Sequence, residues 1–237
     1  MFKGFKQRAI KTELMDDFST GGAELREALQ HLRRLNWIFG AAAPTIFGIK
    51  RLWIEADKPK RLAILDIGSG SGDVNRHLLR WADETQIDLT ITLVDMTEEA
   101  CEEARLLFRH EPRIHVMRSD LFQLSEDCAD VVTATQFVHH FTTNELPLVV
   151  NSMLKASRLG VVINDIHRHW IPWAAVWLTA RIVSKNRYIW HDGPLSVAKG
   201  FRSEDWNNLK HSLRKSQMFF TWRPLFRYVV VIWKSKE

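Results

Sequence analysis

Ile64-Leu65-Asp66-Ile67-Gly68-Ser69-Gly70-Ser71-Gly72-Asp73 is the stretch that decides how this chain folds. An apolar run passes directly into glycines at alternate positions, and a helical pattern follows at 74–82. Glycine allows a sharp turn and a close approach of ligand to backbone. In an open α/β sheet, such a turn at the carboxyl end of a strand floors a ligand crevice. The dinucleotide fingerprint G-x-G-x-x-G would place its third glycine where Asp73 stands. The pattern is instead D-x-G-x-G-x-G.

Moving outward, short apolar runs alternate with helical patterns. The first strand is expected at 62–67, with others at 89–94, 114–117, 129–134 and 160–164. Helices are expected at 74–82, 98–108 and 144–157, the last with Pro147 in its first turn, where proline is tolerated. This alternation argues for a mostly parallel sheet with helices on both faces. Upstream, Leu25, Leu29, Leu32 and Leu35 give 23–37 an amphipathic period, and a second helix runs from Pro44 to about Ile54. Downstream the rhythm breaks. Residues 167–194 form an aromatic-rich insertion with a helix expected at 173–184. A helix at 203–215 follows, with Ser203 as N-cap and Asp205 in its first turn. Residues 217–221 and 228–233 read as two closing strands, and their short link permits antiparallel pairing.

Polar residues recur where the strands end. Leu93-Val94-Asp95 places an acid after the second strand, where a carboxylate can accept from both hydroxyls of a ribose. Arg118-Ser119-Asp120-Leu121 follows the third strand, and Asp130 to Phe141 spans the fourth and its exit, including Gln136, His139 and His140. Alone, Asp95 could cap a helix and Asp120 could serve a turn. At three successive strand ends the pieces support one another.

Together these residues resemble class I S-adenosylmethionine (SAM)-dependent methyltransferases. Asp66 to Gly72 looks like their motif I, and the likeness runs from about Arg61 to Asp165. It implies a Rossmann-like seven-stranded, mostly parallel sheet with an antiparallel last strand. A helical N-terminal cap (1–60) would precede a methyltransferase domain (61–237) with an acceptor-side insertion after the fifth strand (167–201). It implies SAM as cofactor and S-adenosylhomocysteine (SAH) as product. The cofactor would be held by Asp66, Gly68, Ser69, Gly70, Asp95, Met96, Asp120, Leu121 and Gln136, with Met96 beside the adenine and Asp120 facing its amino group. Glu13 to Asp17, Asn164 to Arg168 and His191 to Val197 look like a bacterial small-molecule subgroup tied to polyketide, phenolic-lipid or quinone chemistry, hence to secondary metabolism.

Four histidines are candidates for acid–base work: His139 and His140 after the fourth strand, His167 after the fifth, and His191 beside Asp192. An unperturbed imidazole suits a general base. His139 and His191 are preferred, because a histidine at the position of His140 recurs across acceptor classes in the resembling family. Each could instead be structural or solvent-facing. Gln136, His139 and His140 would share a helix face if one starts there, but an amide and two imidazoles make a poor Mg²⁺ site, so no metal is expected.

Composition narrows the rest. The chain has 237 residues, 46% apolar and 26% charged, enough for one core and tight for two domains. Cys101 and Cys128 make no disulfide framework or CxxC motif, which suits a reducing cytoplasm. The N-terminus lacks a signal-peptide apolar core. The longest greasy run, 170–180, is too short to span a bilayer. A net charge of +5 without a dense basic block does not point to nucleic acid. Ten tryptophans allow contact with a membrane surface, although most tryptophans serve packing.

Ile171, Trp173, Val176, Trp177, Ile182 and Trp190 could wall an aromatic or lipid-like acceptor, with O-methylation favoured over C- or N-methylation. Three rivals stand beside this expectation: a nicotinamide-dependent Rossmann oxidoreductase, disfavoured by Asp73 and the late closing strands; an RNA or protein methyltransferase, disfavoured by Thr135-Gln136-Phe137-Val138 where an Asn/Asp-Pro-Pro-Tyr/Phe motif would stand; and a non-catalytic SAM-binding protein. Oligomeric state is not legible.

Overall fold

The computed structural model describes residues 5–17, 21–213 and 216–235. In chain order the helices are α1 (Ala23–Ile38), α2 (Ala42–Glu55), α3 (Asn75–Thr85), α4 (Glu98–Leu107), α5 (Leu146–Ala156), α6 (Trp170–Val183), α7 (Arg187–Lys199) and α8 (Ser203–Ser212). The strands are β1 (Arg61–Ile67), β2 (Asp88–Asp95), β3 (Ile114–Arg118), β4 (Ala129–Thr135), β5 (Ser157–Ile166), β6 (Met218–Arg223) and β7 (Arg227–Trp233).

The strands form one sheet in the order β3-β2-β1-β4-β5-β7-β6. β1 to β5 pair in parallel, and β7 runs antiparallel between β5 and β6. The fold is the expected Rossmann-like sheet with its last strand reversed. Chain order reverses between β1 and β4, and a ligand crevice forms at such a switch point.

Strand periodicity distributes the core. Leu62 and Ile64 of β1 join a cluster with Ile49, Leu78 and Leu89, whereas Leu65 and Ile67 face the opposite cluster with Val149, Met153 and Trp206. β7 alternates likewise, sending Val229 and Val231 to the first and Val230 and Ile232 to the second. Both faces are covered, so the strands read as continuous apolar runs. α1 crosses the sheet end and packs on α4, α6 and α7, while α2 packs on β5 and β7.

The structure departs from the expected elements at two places. Residues 187–199 form a helix, Gly193-Pro194 included, where only 173–184 of the insertion is expected to be helical. The Asn186 side chain caps its start by accepting from Tyr188 N (3.0 Å), and Gly193 packs against Val176 of α6. Packing and capping thus outweigh the missing proline donor. α8 is capped by Arg202, not Ser203: Asp205 Oδ2 accepts from Arg202 N at 2.7 Å, and Ser203 Oγ lies 2.8 Å from the Tyr228 hydroxyl. Lys215, the expected end of that helix, and the first four residues of the N-terminal reading lie outside the described residues. Among the described residues no helix is long and apolar enough to cross a membrane.

Candidate active site

The glycine turn is fixed from below and from both sides. Gly68 and Gly72 have φ of 59° and 72°, the left-handed region that other side chains avoid. A Cβ at Gly68 would overlap the Phe137 ring, and one at Gly72 would overlap Leu93 Cδ1. Beneath the turn, buried Asp66 accepts from Asn75 Nδ2 and Thr133 Oγ1, both at 2.7 Å. Burial pushes its carboxyl up to about 6 despite those two bonds. Asp66 therefore braces β1 against α3 and β4 and does not line the cleft.

Asp95 closes the turn from β2. Its Oδ2 accepts from Gly70 N at 2.9 Å, and its Oδ1 from Thr97 N and Oγ1 at 3.0 and 2.9 Å. Two carboxylate oxygens offer about four acceptor sites, so one remains for a ligand hydroxyl. Asp120 caps a single turn at Leu121–Gln123 by accepting from Phe122 N at 3.0 Å. Gln136 does not start a helix; its φ is 54°, and only Val138–His140 forms a 3-10 turn. Its Nε2 donates to Asn36 Oδ1 at 2.7 Å, linking the exit of β4 to α1.

These residues open onto one cleft of about 550 Å³. It is lined by the turn, Asp95, Met96, Asp120 and Leu121, and walled by Leu25, Leu29 and Leu32 of α1, Phe137 and Phe141 after β4, and Ile189 of α7. Ser69, Gly70, Gln136, His139 and His140 also line it.

At the exit of β4, charged groups gather. His139 is buried between two carboxylates: Nδ1 lies 2.8 Å from Asp165 Oδ1, and Nε2 lies 3.5 Å from Glu13 Oε1. Burial alone would push this imidazolium down, but Asp165 and then Glu13 raise it to about 9. Glu13 shows the converse. Burial pushes it up, and His139, His140 and Lys199 bring it down to about 2. Nδ1 of His140 lies 2.7 Å from Asp16 Oδ1, and Asp16 is held below the usual carboxylate range by His140 against the opposing effect of its burial. Lys199 Nζ adds an ammonium 3.3 Å from Glu13 Oε1.

Glu13 caps, and Asp16 ends, a 3-10 turn at Leu14–Asp16 that α7 fastens down. Asp192 accepts from Leu14 N and Met15 N at 2.8 and 2.9 Å, and Ser196 Oγ donates to Glu13 Oε2 at 3.0 Å. Sequence reasoning did not assign roles to Glu13, Asp16, Asn36, Asp165 or Lys199. The acidic pair spaced at 13 and 16 was visible, but its partners lie more than a hundred positions away.

The other two candidate histidines stand apart. His191 Nδ1 approaches Asp192 Oδ1 at 2.6 Å on α7, and its ring does not line the cleft. His167 belongs to an aromatic group with Phe226 and Tyr228 beyond β5, where burial and then the charges of His169, Arg202 and Arg168 push it down to about 4. Glu13, His139 and His140 each offer one ligand atom within 4.8 Å of one another. A cation there would have to share the place with the charge on His139 and with the Lys199 ammonium.

Acids at the ends of β2 and β3, facing a glycine turn that lacks the third dinucleotide glycine, define a Rossmann-like nucleoside-cofactor site that opens onto an apolar pocket. Residues 64–160 match the family described as Methyltransferase domain, so this part of the chain carries a methyltransferase domain. Among solved structures, the plantazolicin methyltransferase BpumL in complex with SAH superposes with a TM-score of 0.68 at 13% identity, covering 91% of this chain and 92% of that one. A SAM-dependent methyltransferase from Aquifex aeolicus superposes at 0.60 and 13% identity, covering 89% and 98%. The citrinin polyketide synthase CMeT domain superposes at 0.56 and 15% identity; 75% of this chain is covered, and it spans 47% of that chain. At these identities the likeness is one of fold. No curated protein sequence matches the chain.

Proposed function

We propose that the protein transfers the methyl group of SAM to a hydroxyl oxygen of a small aromatic or lipid-like acceptor, with His140 as general base. The observation that carries this reading is the position of the His140–Asp16 pair, in the cleft that joins the glycine turn to an apolar wall. Residues 61–237 would form the transferring domain, residues 1–60 its cap, and residues 167–201 the acceptor-side insertion.

The cleft fits the cofactor. A Cβ at Gly70 would meet only Leu29 Cδ2, at 3.9 Å, so the backbone lies open to a ligand. Asp95 keeps an acceptor site for a ribose hydroxyl, while Met96, Asp120 and Leu121 would flank an adenine. Gly68, Ser69 and Gln136 would border the amino-acid end, with Asp66 bracing the turn from below. When bound, SAM supplies an electrophilic methyl carbon on a sulfonium.

His140 suits the base because Asp16 lies against Nδ1 and leaves Nε2 to take a proton. His140 Nε2 would take the hydroxyl proton as the acceptor oxygen gains the methyl group that SAM would supply, leaving SAH. His139 suits a different task. A buried imidazolium already protonated between Asp165 and Glu13 cannot accept a proton at neutral pH, but it fixes the exit of β4 and the overlying Glu13 segment. His191 and His167 lie off the cleft lining and are given no step. Leu25, Leu29, Leu32, Phe137 and Phe141 exclude water, which strengthens near-attack placement.

The test is a turnover screen over phenols, hydroquinones and hydroxylated polyketide-like acids, with RNA and protein acceptors in parallel. Calorimetry with SAM, SAH and NADH accompanies it. His140→Ala is expected to keep SAM affinity within about twofold and to lose ~10²–10⁴ in kcat. A His140→Ala enzyme with full kcat, methylation confined to RNA or protein, or NADH binding in place of SAM would each overturn the proposal.

A further inference from the structure

Away from the cleft, the outer surface of α6 is apolar along its length. Ile171, Leu178 and Ile182 are exposed and recur at helical spacing, Ile182 to 75%, and exposed Trp177 adjoins this row. Monomeric proteins rarely leave such a stripe to water.

Two other segments extend it. Exposed Trp170 meets His169, which stacks on Phe226, and Phe226 makes an edge contact with exposed Trp222 in the β6–β7 hairpin. The same hairpin carries exposed Leu225, whose Cδ1 lies against Gly40 at the end of α1. There Trp37 and Ile38 project, Trp37 to 78% exposure. Leu35 and Phe39, which flank that pair, belong to the apolar cluster that contains Ala180 and Val183 of α6. Three chain segments thus form one apolar face carrying four exposed tryptophans.

Charge identifies what covers it. No Asp or Glu occurs in residues 30–54, 166–191 or 217–233, the three stretches that build the face. Cations do occur: Arg34 beside Trp37, Arg181 and Lys185 at the end of α6, all exposed. The Arg181 guanidinium lies 3.9 Å from the centre of the Trp177 ring. Glu24 and Glu27 of α1 reach only the start of α7, where they engage Arg187 and Asn186. A second copy of the same face would meet cation with cation. An anionic lipid surface offers acyl chains to the apolar stripe and phosphates to the rim. Tryptophan with arginine and lysine is the combination that rests at such a boundary.

We infer that α6, the end of α1 and the β6–β7 hairpin form a docking face for an anionic membrane, on which the protein lies peripherally. α7 carries α6 on one side and lends Tyr188, Ile189 and Asp192 to the cleft on the other, so the docked face sits one helix from the site. The inference does not depend on which acceptor is methylated.

Vesicle flotation tests it on the full chain. Vesicles of phosphatidylcholine alone are compared with vesicles containing about one third phosphatidylglycerol. Binding to the anionic vesicles is expected to exceed neutral binding at least tenfold, with a blue shift of tryptophan emission, since each basic residue near the surface contributes roughly fivefold. Trp177→Glu with Ile182→Glu is expected to reduce binding at least tenfold, and Arg181→Glu with Lys185→Glu to remove most of the preference for anionic lipid. SAM titration of each variant establishes folding. Equal binding to both vesicle types, binding unchanged in the folded Trp177→Glu/Ile182→Glu variant, or a dimer in solution that this variant dissociates would overturn the assignment. The last result would give the face to a second copy.

Discussion

Asp165→Asn isolates what the buried His139 cluster contributes. The substitution is isosteric, and the amide oxygen can still accept from Ile166 N, which bonds Asp165 Oδ1 at 2.7 Å, and from His139 Nδ1. The charge is lost, together with the pH-independent bond that Asp165 Oδ2 accepts from His139 N at 3.1 Å. With Asp165 present the imidazolium is held at about 9 against an ordinary 6.5. A histidine whose folded value is raised contributes stability that is complete below the unfolded value and disappears as pH rises through the folded one. The window is therefore pH 6.5 to about 9, and the full term is about 3 kcal/mol. For a chain of this length that corresponds to roughly 6–12 °C in Tm. Thermal unfolding of wild type and Asp165→Asn is compared at pH 6, 7.5 and 9.5. The wild type should be the more stable at pH 6, and the gap should narrow by most of that amount at pH 9.5. Glu13→Gln should show a smaller gap of the same sign, because Asp165 acts on His139 before Glu13 does. A gap that stays constant from pH 6 to 9.5 would refute the claim that His139 is a buried cation, and with it the reason for preferring His140 as base.

Asp95→Ala should weaken SAM at least tenfold by calorimetry, since it removes both a ligand acceptor and the bond that holds Gly70 N; unchanged affinity would place the ribose elsewhere. Gly72→Ala should destabilise by about 1–3 kcal/mol, seen as a shift in the urea midpoint, because it combines a φ of 72° with a clash on Leu93. Chelation should leave turnover within about twofold. Activity that vanishes with chelator and returns with a divalent ion would make Glu13, His139 and His140 a metal site.

The sheet was legible because it rests on local signals. Apolar runs buried on both faces, short connections and a glycine turn each identify themselves within a few residues, and their order limits the topology. The observed strand bounds differ from the expected ones mainly at the ends. α7 was not legible for a related reason: Gly193-Pro194 is a local breaker, and what overrides it is contact with α6 and a cap at Asn186, neither of which a propensity argument contains. Ser203 failed as a cap because Tyr228, twenty-five positions away, holds its hydroxyl, while Asp205 reaches back to Arg202 N.

The site divides in the same way. Gly68, Gly70, Asp95 and Asp120 take their positions from the strands they follow, so sequence order alone brings them to one edge. The acid–base groups do not. His139 and His140 are neighbours in sequence, stack at 4.4 Å and both border the cleft, yet one is buried between Asp165 and Glu13 and the other is partly exposed beside Asp16. The difference comes from the groups that reach each ring: Asp165 from the end of β5, and Glu13 and Asp16 from a segment held by Asp192 and Ser196 of α7. Composition could suggest that a histidine near β4 works as a base. Choosing between the two required knowing which carboxylates fold onto which nitrogen, and that is decided by the N-terminal segment crossing the exit of β4, a contact set by tertiary packing rather than local pattern.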